Sequence, residues 1–360
     1  YEYDDLGRLV KTTYPDQSYV RAEYIDEENV VKTYNELGIP RESKYDWNGR
    51  LIWIRKYVNE TSYIETRYWY DEVGNLIKVR APNGEEITYK YDNLGRLIEI
   101  TYPDGYIESR EYDEAGNLIR YVNRGGEEFR YEYDLAGRLI KKILPSGEEI
   151  TYKYDIAGRK LLVQDSQFKV AYKYDLRDRV VEVSRWVNEA WFNTTYTYDA
   201  NGNLLSVTYP DGFTVTMEYD WLNRLVKVYQ DQTLIVTYEY NLDSTLKREL
   251  YFNNVNTTYT YDEKGRLKRK LVVSPYGVVL DLNYTYDAAN RIIKLSGEEY
   301  EYDWLNRLVA ARGPYGTIRY KYDEAGNRVE KWFNGNRVLY TYTSYNKLVQ
   351  EIRGSETITY

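Results

Sequence analysis

The sequence predicts an all-β protein built from stacked β-hairpins in a coiled single-layer sheet, either a spiral shell or a tube. Three observations lead there. A Tyr-Asp dipeptide recurs most often every 21 residues, the stretches between recurrences alternate polar and apolar residues with period two, and turn-forming residues fall at two fixed places in each repeat.

Taking the tyrosine of the dipeptide as anchor gives seventeen units, at Tyr3, Tyr24, Tyr45, Tyr70, Tyr91, Tyr112, Tyr133, Tyr154, Tyr174, Tyr198, Tyr219, Tyr240, Tyr261, Tyr286, Tyr302, Tyr322 and Tyr342. Nine of the sixteen intervals are 21 residues. Longer ones of 24 or 25 follow Tyr45, Tyr174 and Tyr261, and one of 16 follows Tyr286, which reads as changes of hairpin length within a single array over residues 1–360. No composition shift, Pro/Ser linker or charge run marks a domain boundary. The chain opens in mid-motif at Tyr1-Glu2-Tyr3-Asp4 and stops in mid-repeat at Tyr360, so a segment of a longer chain is expected.

Each unit reads as first turn, strand, second turn, strand. The first turn is opened by the Asp after the anchor and closed three residues later by a residue that needs positive φ, as in Asp92 and Gly95, Asp113 and Gly116, Asp134 and Gly137, and Asp155 and Gly158. The closing position carries Gly ten times, Asn four times and Asp once, fifteen residues of seventeen that tolerate the left-handed region. The strand that follows usually begins with Leu, such as Leu97, Leu118 or Leu139, which supplies aliphatic filling. The second turn is written Pro103-Asp104-Gly105 or Pro145-Ser146-Gly147, with Pro presetting φ and Gly taking the strained place.

The returning strand carries a tyrosine two residues before the anchor in thirteen units, so that Tyr89 and Tyr91, Tyr131 and Tyr133, Tyr152 and Tyr154, and Tyr172 and Tyr174 project from one face. The residue between them is polar almost throughout, as in Lys90, Glu132, Lys153 and Lys173, with Trp69 an exception. Thirty of the 45 tyrosines occupy these two slots. Stacked hairpins are expected to set them in ladders, ring beside ring, at roughly 0.2–1 kcal/mol for each cross-strand pair. Thirty-four strands at about 4.8 Å each give a ribbon on the order of 160 Å, and one full turn of it would enclose a lumen on the order of 50 Å. Strand twist forces such a ribbon to coil.

Composition excludes much chemistry. With no His and no Cys there is no Ser-His-Asp or Cys-His nucleophile, no ordinary zinc site and no disulfide framework. A net charge of −8 with interspersed signs gives no footprint for nucleic acid. The mean hydropathy of −0.72 understates burial, because Tyr scores as polar while covering a large ring. No run of about 18 apolar residues is present to span a membrane as a helix.

The unit Tyr-Asp-x-x-Gly-Arg-Leu, followed by Pro-Asp-Gly nine or ten residues on, resembles the YD repeat of the RHS family, shared with teneurins and with the cocoon subunits of bacterial insecticidal toxin complexes. The resemblance covers essentially the whole chain. It implies a spiralling β-shell that in RHS and toxin-complex proteins surrounds a C-terminal effector, and in teneurins is extracellular and supports adhesion. RHS shells commonly end in a plug that releases the effector by an aspartyl-protease-like reaction near Asp-Pro-x-Gly. No Asp-Pro dipeptide occurs here, which leaves the self-cleaving module and the effector outside this chain.

Catalytic, cofactor and metal sites are all expected to be absent. Fourteen Asp in seventeen equivalent slots fit turn formation better than a glycosidase pair, which needs two carboxylates in different environments, and the turns lack the acidic density of a calcium loop. The Arg after the turn, such as Arg96 or Arg138, either binds an anionic ligand or, in the favoured reading, stacks on Tyr rings and pairs with acidic neighbours. Four Asn-x-Ser/Thr sequons, at Asn59, Asn193, Asn256 and Asn283, are candidate glycosylation sites, the last three at odd offsets from an anchor and so on the wetted face. The functional expectation is a secreted or cell-surface shell segment around an effector polypeptide. The alternative is an adhesion or filament module that binds a cell-surface receptor or associates with itself.

Overall fold

The computed structural model describes residues 1–343 and 346–360. Among them the chain forms 35 strands and one short 3-10 turn at Asp26–Glu28, with no α-helix. The strands are antiparallel and make one unclosed sheet.

The unit at Tyr133 shows why this sequence folds so. Its strand Glu128–Tyr133 runs into the first turn, where the Gly137 amide donates to the Asp134 carbonyl at 2.9 Å and the Asp134 amide to the Arg138 carbonyl at 3.0 Å. Gly137 sits at φ +73, and a Cβ there would meet only Asn117 Oδ1 at 3.5 Å, so backbone conformation rather than crowding favours glycine. Ser244 holds the same place at φ 67, although Ser has no special preference for it. In the unit at Tyr24, which lacks the Asp, the chain instead makes its 3-10 turn and passes the left-handed conformation to Asn29 at φ 53.

The strands carry a feature that alternation alone does not reveal. Glu132 pairs with Lys141 but Tyr133 pairs with Leu139, which leaves Ile140 as an extra residue in a β-bulge. The same step recurs between Lys153 and Tyr154, where Lys153 faces Leu162 and Tyr154 faces Lys160. A bulge sharpens local right-handed twist, so its recurrence along the array builds coiling into the sheet, although the unit at Tyr24 pairs without one.

A single layer buries little. The buried hydrophobic residues are Val30, Val183, Val236 and Ala310, joined by Thr194, Thr257 and Glu351. The paired tyrosines Tyr131 and Tyr133 are half-buried and Glu132 between them is exposed. The wetted face is laced by cross-strand ion pairs such as Lys90–Glu99 at 2.6 Å and Lys173–Glu182 at 3.0 Å. Pairs this exposed contribute about 0.2–1 kcal/mol each.

The contacts gather into two compact units. One comprises Tyr1–Ile107, Thr260–Lys270 and Asp281–Tyr360, the other Glu108–Tyr259 and Leu271–Leu280. In the second unit the hairpins stack in chain order. In the first, segments far apart in sequence also meet. Lys264 Nζ lies 3.0 Å from Asp16, 2.8 Å from Ser18 Oγ and 4.9 Å from the Tyr14 ring centroid, and its side chain is only 8% exposed.

Candidate functional site: the repeat joint

The recurring structure in this wall is the joint between one unit and the next. Asp134 Oδ1 accepts the amides of Ala136 and Arg138 at 2.9 and 3.0 Å, and Oδ2 accepts Arg138 Nε at 2.7 Å. Held this way, the Arg138 guanidinium points onward. Its Nη1 donates to the Asp155 backbone carbonyl at 3.1 Å, and the group lies 5.1 Å from the Tyr154 ring centroid. The Tyr154 hydroxyl reaches back to the Leu139 carbonyl at 2.8 Å. Two consecutive residues of one unit, Arg138 and Leu139, therefore grip the ring and the hydroxyl of the next anchor.

The next joint repeats the pattern. Asp155 fixes Arg159 through Nε at 2.6 Å, Arg159 lies 4.9 Å from the Tyr174 ring, and Tyr174 donates to the Lys160 carbonyl at 2.8 Å. Tyr91 and Tyr133 make the corresponding bonds to the carbonyls of Leu76 and Leu118, each at 2.9 Å. Where Asn replaces Arg, as at Asn117, its Nδ2 still bonds Asp113 Oδ2 at 2.9 Å, but the shorter side chain brings no cation to the following ring, and among the described residues none lies over Tyr133.

The ladder thus differs from rings set beside rings. Anchor tyrosines meet guanidinium groups across the joint. Direct ring contacts occur elsewhere, within one pair at Tyr284 and Tyr286 (6.4 Å) and between the two strands of a single hairpin at Trp186 and Trp191 (5.4 Å). Tyr89, Tyr131, Tyr152 and Tyr172 lie two residues upstream on the same strands and are half-buried. The sequence reading missed the hydroxyl's partner, because that partner is a backbone atom.

The turn carboxylates are committed to these bonds. The Arg138 side chain, and then its amide, hold the Asp134 carboxyl below its ordinary value, and the Asn117 side chain and amide do the same for Asp113. For Asp92 the Arg96 amide leads. For Asp155 burial pushes upward, but the Arg159 amide and side chain outweigh it. Burial raises the Tyr154 phenol, helped by Tyr152. Gly95, Gly116 and Gly158 close their turns at φ +77, +90 and +85. Among the described residues no cluster of three or more acidic side chains is placed to hold a metal ion, and no helix is long and apolar enough to cross a membrane.

The sequons fall in different surroundings. Asn193 and Asn283 are exposed on strands, and Asn59 is exposed in a second turn where its Oδ1 accepts the amides of Thr61 and Ser62 at 3.0 and 2.8 Å. Asn256 is half-buried, and its Oδ1 is covered without a hydrogen-bond partner.

Comparison with known proteins places this joint in context. Residues 26–167 and 159–294 match the teneurin YD-shell family. The chain belongs to that family. No curated protein sequence matches it. Among solved structures, the YD-shell chain is similar to that of the TcdB2-TccC3-Cdc42 crystal structure, with a TM-score of 0.85 at 18% identity over 98% of this chain and 22% of the other. The TcdB2-TccC3-TEV crystal structure matches at 0.85 with 19% identity, over 96% of this chain and 22% of that one. The Photorhabdus luminescens Tc holotoxin pore matches at 0.84 with 18% identity, again over 98% and 22%. The YD-shell chain spans about a fifth of each neighbour's length, and the likeness is one of fold. The family and the fold are those of a structural shell.

Proposed function

We propose that this chain is a segment of the wall of a β-shell that encloses an effector polypeptide encoded outside these residues. The observation behind this is the joint. From Tyr70 at Leu51 to Tyr322 at Leu308, an anchor hydroxyl bonds the preceding unit's backbone with the same polarity, at 3.0 and 2.8 Å at these two ends. A joint that points one way and carries a twist-inducing bulge extends a wall rather than closing a compact core. The family match and the fold shared with toxin-complex chains support the same reading.

The proposal also puts the wall outside the producing cell or on its surface. Exposed Asn193 and Asn283, and Asn59 in its turn, suit glycan addition there, while half-buried Asn256 suits it least. Intact-mass measurement on native material checks this part, and a mass without glycan removes it. Electron microscopy of the intact protein checks the shell. A thin curved wall around a lumen holding polypeptide density is expected, and a solid body without a lumen would overturn it.

A further inference from the structure

The first-turn tips of the second unit form an apolar edge. Leu135, Ile156, Leu176, Trp221 and Leu242 occupy successive or near-successive tips, and all are highly exposed, Trp221 at 86%. A tip needs no such residue for turn formation, since Glu114 and Ala200 serve at equivalent places. A row of large apolar groups facing water marks a contact surface.

The chain itself displays what covers such a tip. The heptapeptide Asp-Trp-Leu-Asn-Arg-Leu-Val occurs twice, at 220–226 in the second unit and at 303–309 in the first. Leu222 is exposed like Trp221, but Trp304 and Leu305 are half-buried. They line a cleft of about 670 Å³ with Val20, Ala22, Ile39 and Pro40 from the opening hairpins. Beside this cleft another first-turn tip is seated, with Lys264 on the second turn Tyr14-Pro15-Asp16. In the first unit, then, tips of late hairpins rest on the second-turn side of early ones.

The second unit carries both halves of this contact. Its turns alternate between the two edges of an antiparallel meander, so its tips lie on one edge and its second turns on the other. The triplet Tyr-Pro-Asp that receives Lys264 recurs at Tyr209-Pro210-Asp211. There Tyr209 and Phe192 are 43% and 46% exposed, and Phe213 lies 5.7 Å from the Tyr209 ring.

We infer that these two edges are complementary and that a second copy of this chain docks by setting its second-turn edge, at Tyr209, Pro210 and Phe213, on the tip edge at Trp221 and Leu222. The contact is head-to-tail, so each copy retains one free edge of each kind and association is open-ended. This goes beyond the shell reading and requires no cargo.

Sedimentation velocity on the 360-residue chain tests it. The mass is expected to rise above 43.0 kDa with concentration. Trp221→Asp with Leu222→Asp, and separately Tyr209→Ser with Phe213→Ser, are each expected to abolish that rise while leaving circular dichroism unchanged. Mixing the two variants restores one intact edge pair, so a two-chain species and nothing larger should form. If either pair disturbs folding, Leu176→Asp with Leu242→Asp on the tip edge carries the same expectation. A chain that stays monomeric at its highest soluble concentration overturns the inference, and so does association that survives both variants.

Discussion

The Tyr154 hydroxyl donates to the Leu139 carbonyl at 2.8 Å while the Arg138 guanidinium lies 5.1 Å from the centroid of the same ring. Ring and hydroxyl are thus held by adjacent residues of one neighbour, and their contributions separate by substitution. Tyr154→Phe keeps the ring and strands a partly covered carbonyl, so it should cost about 1 kcal/mol. Tyr154→Ala removes the ring as well and should cost about 3 kcal/mol, at the low end for aromatic truncation because the site is half-buried. Urea unfolding of both variants checks this. Equal losses would place the whole effect in the hydroxyl.

Arg138 spans two units, and the neighbouring joint shows how to shorten it. Asn117 keeps the local bond to its turn Asp at 2.9 Å without reaching the next ring. Arg138→Asn is therefore expected to lose the contribution of the cation over Tyr154, about 0.5–1 kcal/mol, together with the Nη1 bond to the Asp155 carbonyl. Arg138→Ala should lose more, since nothing then satisfies Asp134 Oδ2. A double-mutant cycle of Arg138→Asn with Tyr154→Ala, which removes the ring, reports the coupling, and a coupling of zero would remove the guanidinium from the joint.

The pH profile follows from the same groups. The turn carboxyls, Asp134 and Asp113 among them, are depressed in the folded state by their Arg or Asn partners. Their contribution is present above the unfolded value, about 4, and is lost as pH falls through the folded values. Tyr154 and Tyr133 are raised by burial, which favours the neutral phenol. Their contribution is present below about 10 and is lost as pH rises through the folded values. With no His in the chain, no side chain with an ordinary value titrates between. The urea midpoint should therefore be flat from about pH 5 to about 9 and fall on both sides, and a step near neutrality would contradict this.

What the sequence displayed depended on range. Asp92 and Gly95 announce their turn because the bonds that form it span four residues or fewer. The alternation around Lys90 and Lys153 announces strands for the same reason. The bulge at Ile140 was hidden, since it exists only in the pairing of two strands and leaves no mark on either alone. The carbonyl of Leu139 was hidden because every residue has one. The apolar tips at Leu135 and Ile156 were visible as letters, but a scheme of one aromatic and one wetted face had no place for them. Farthest from sight was Lys264 on Asp16 and Ser18, the latter bond joined across 246 residues, with only a Tyr-Pro-Asp triplet as local sign.

That contact offers the most direct measure of how firmly hairpins seat on one another within the first unit. Asp16 is held at a pKa of about 2, chiefly by the Ser18 hydroxyl, with burial opposing and Lys264 assisting. Lys264 has little water around it, so Asp16→Asn leaves its charge facing a neutral amide. The stranded ammonium should cost roughly 2 kcal/mol, below the value for a fully interior pair, because Ser18 and the Ala288 carbonyl at 3.0 Å still hold it. Lys264→Met added to Asp16→Asn removes the charge while keeping much of the stem over the Tyr14 ring, and should recover more than half of that loss. Hydrogen exchange supplies the spatial readout. Asp16→Asn should speed exchange in the strands Lys169–Tyr174 and Leu225–Gln230 no more than in the intact chain, and should speed it clearly in the strands Leu9–Thr13 and Leu267–Ser274 that flank the contact. Uniform acceleration would mean that the array unfolds as one block, and no change at all would mean that the seating contributes nothing.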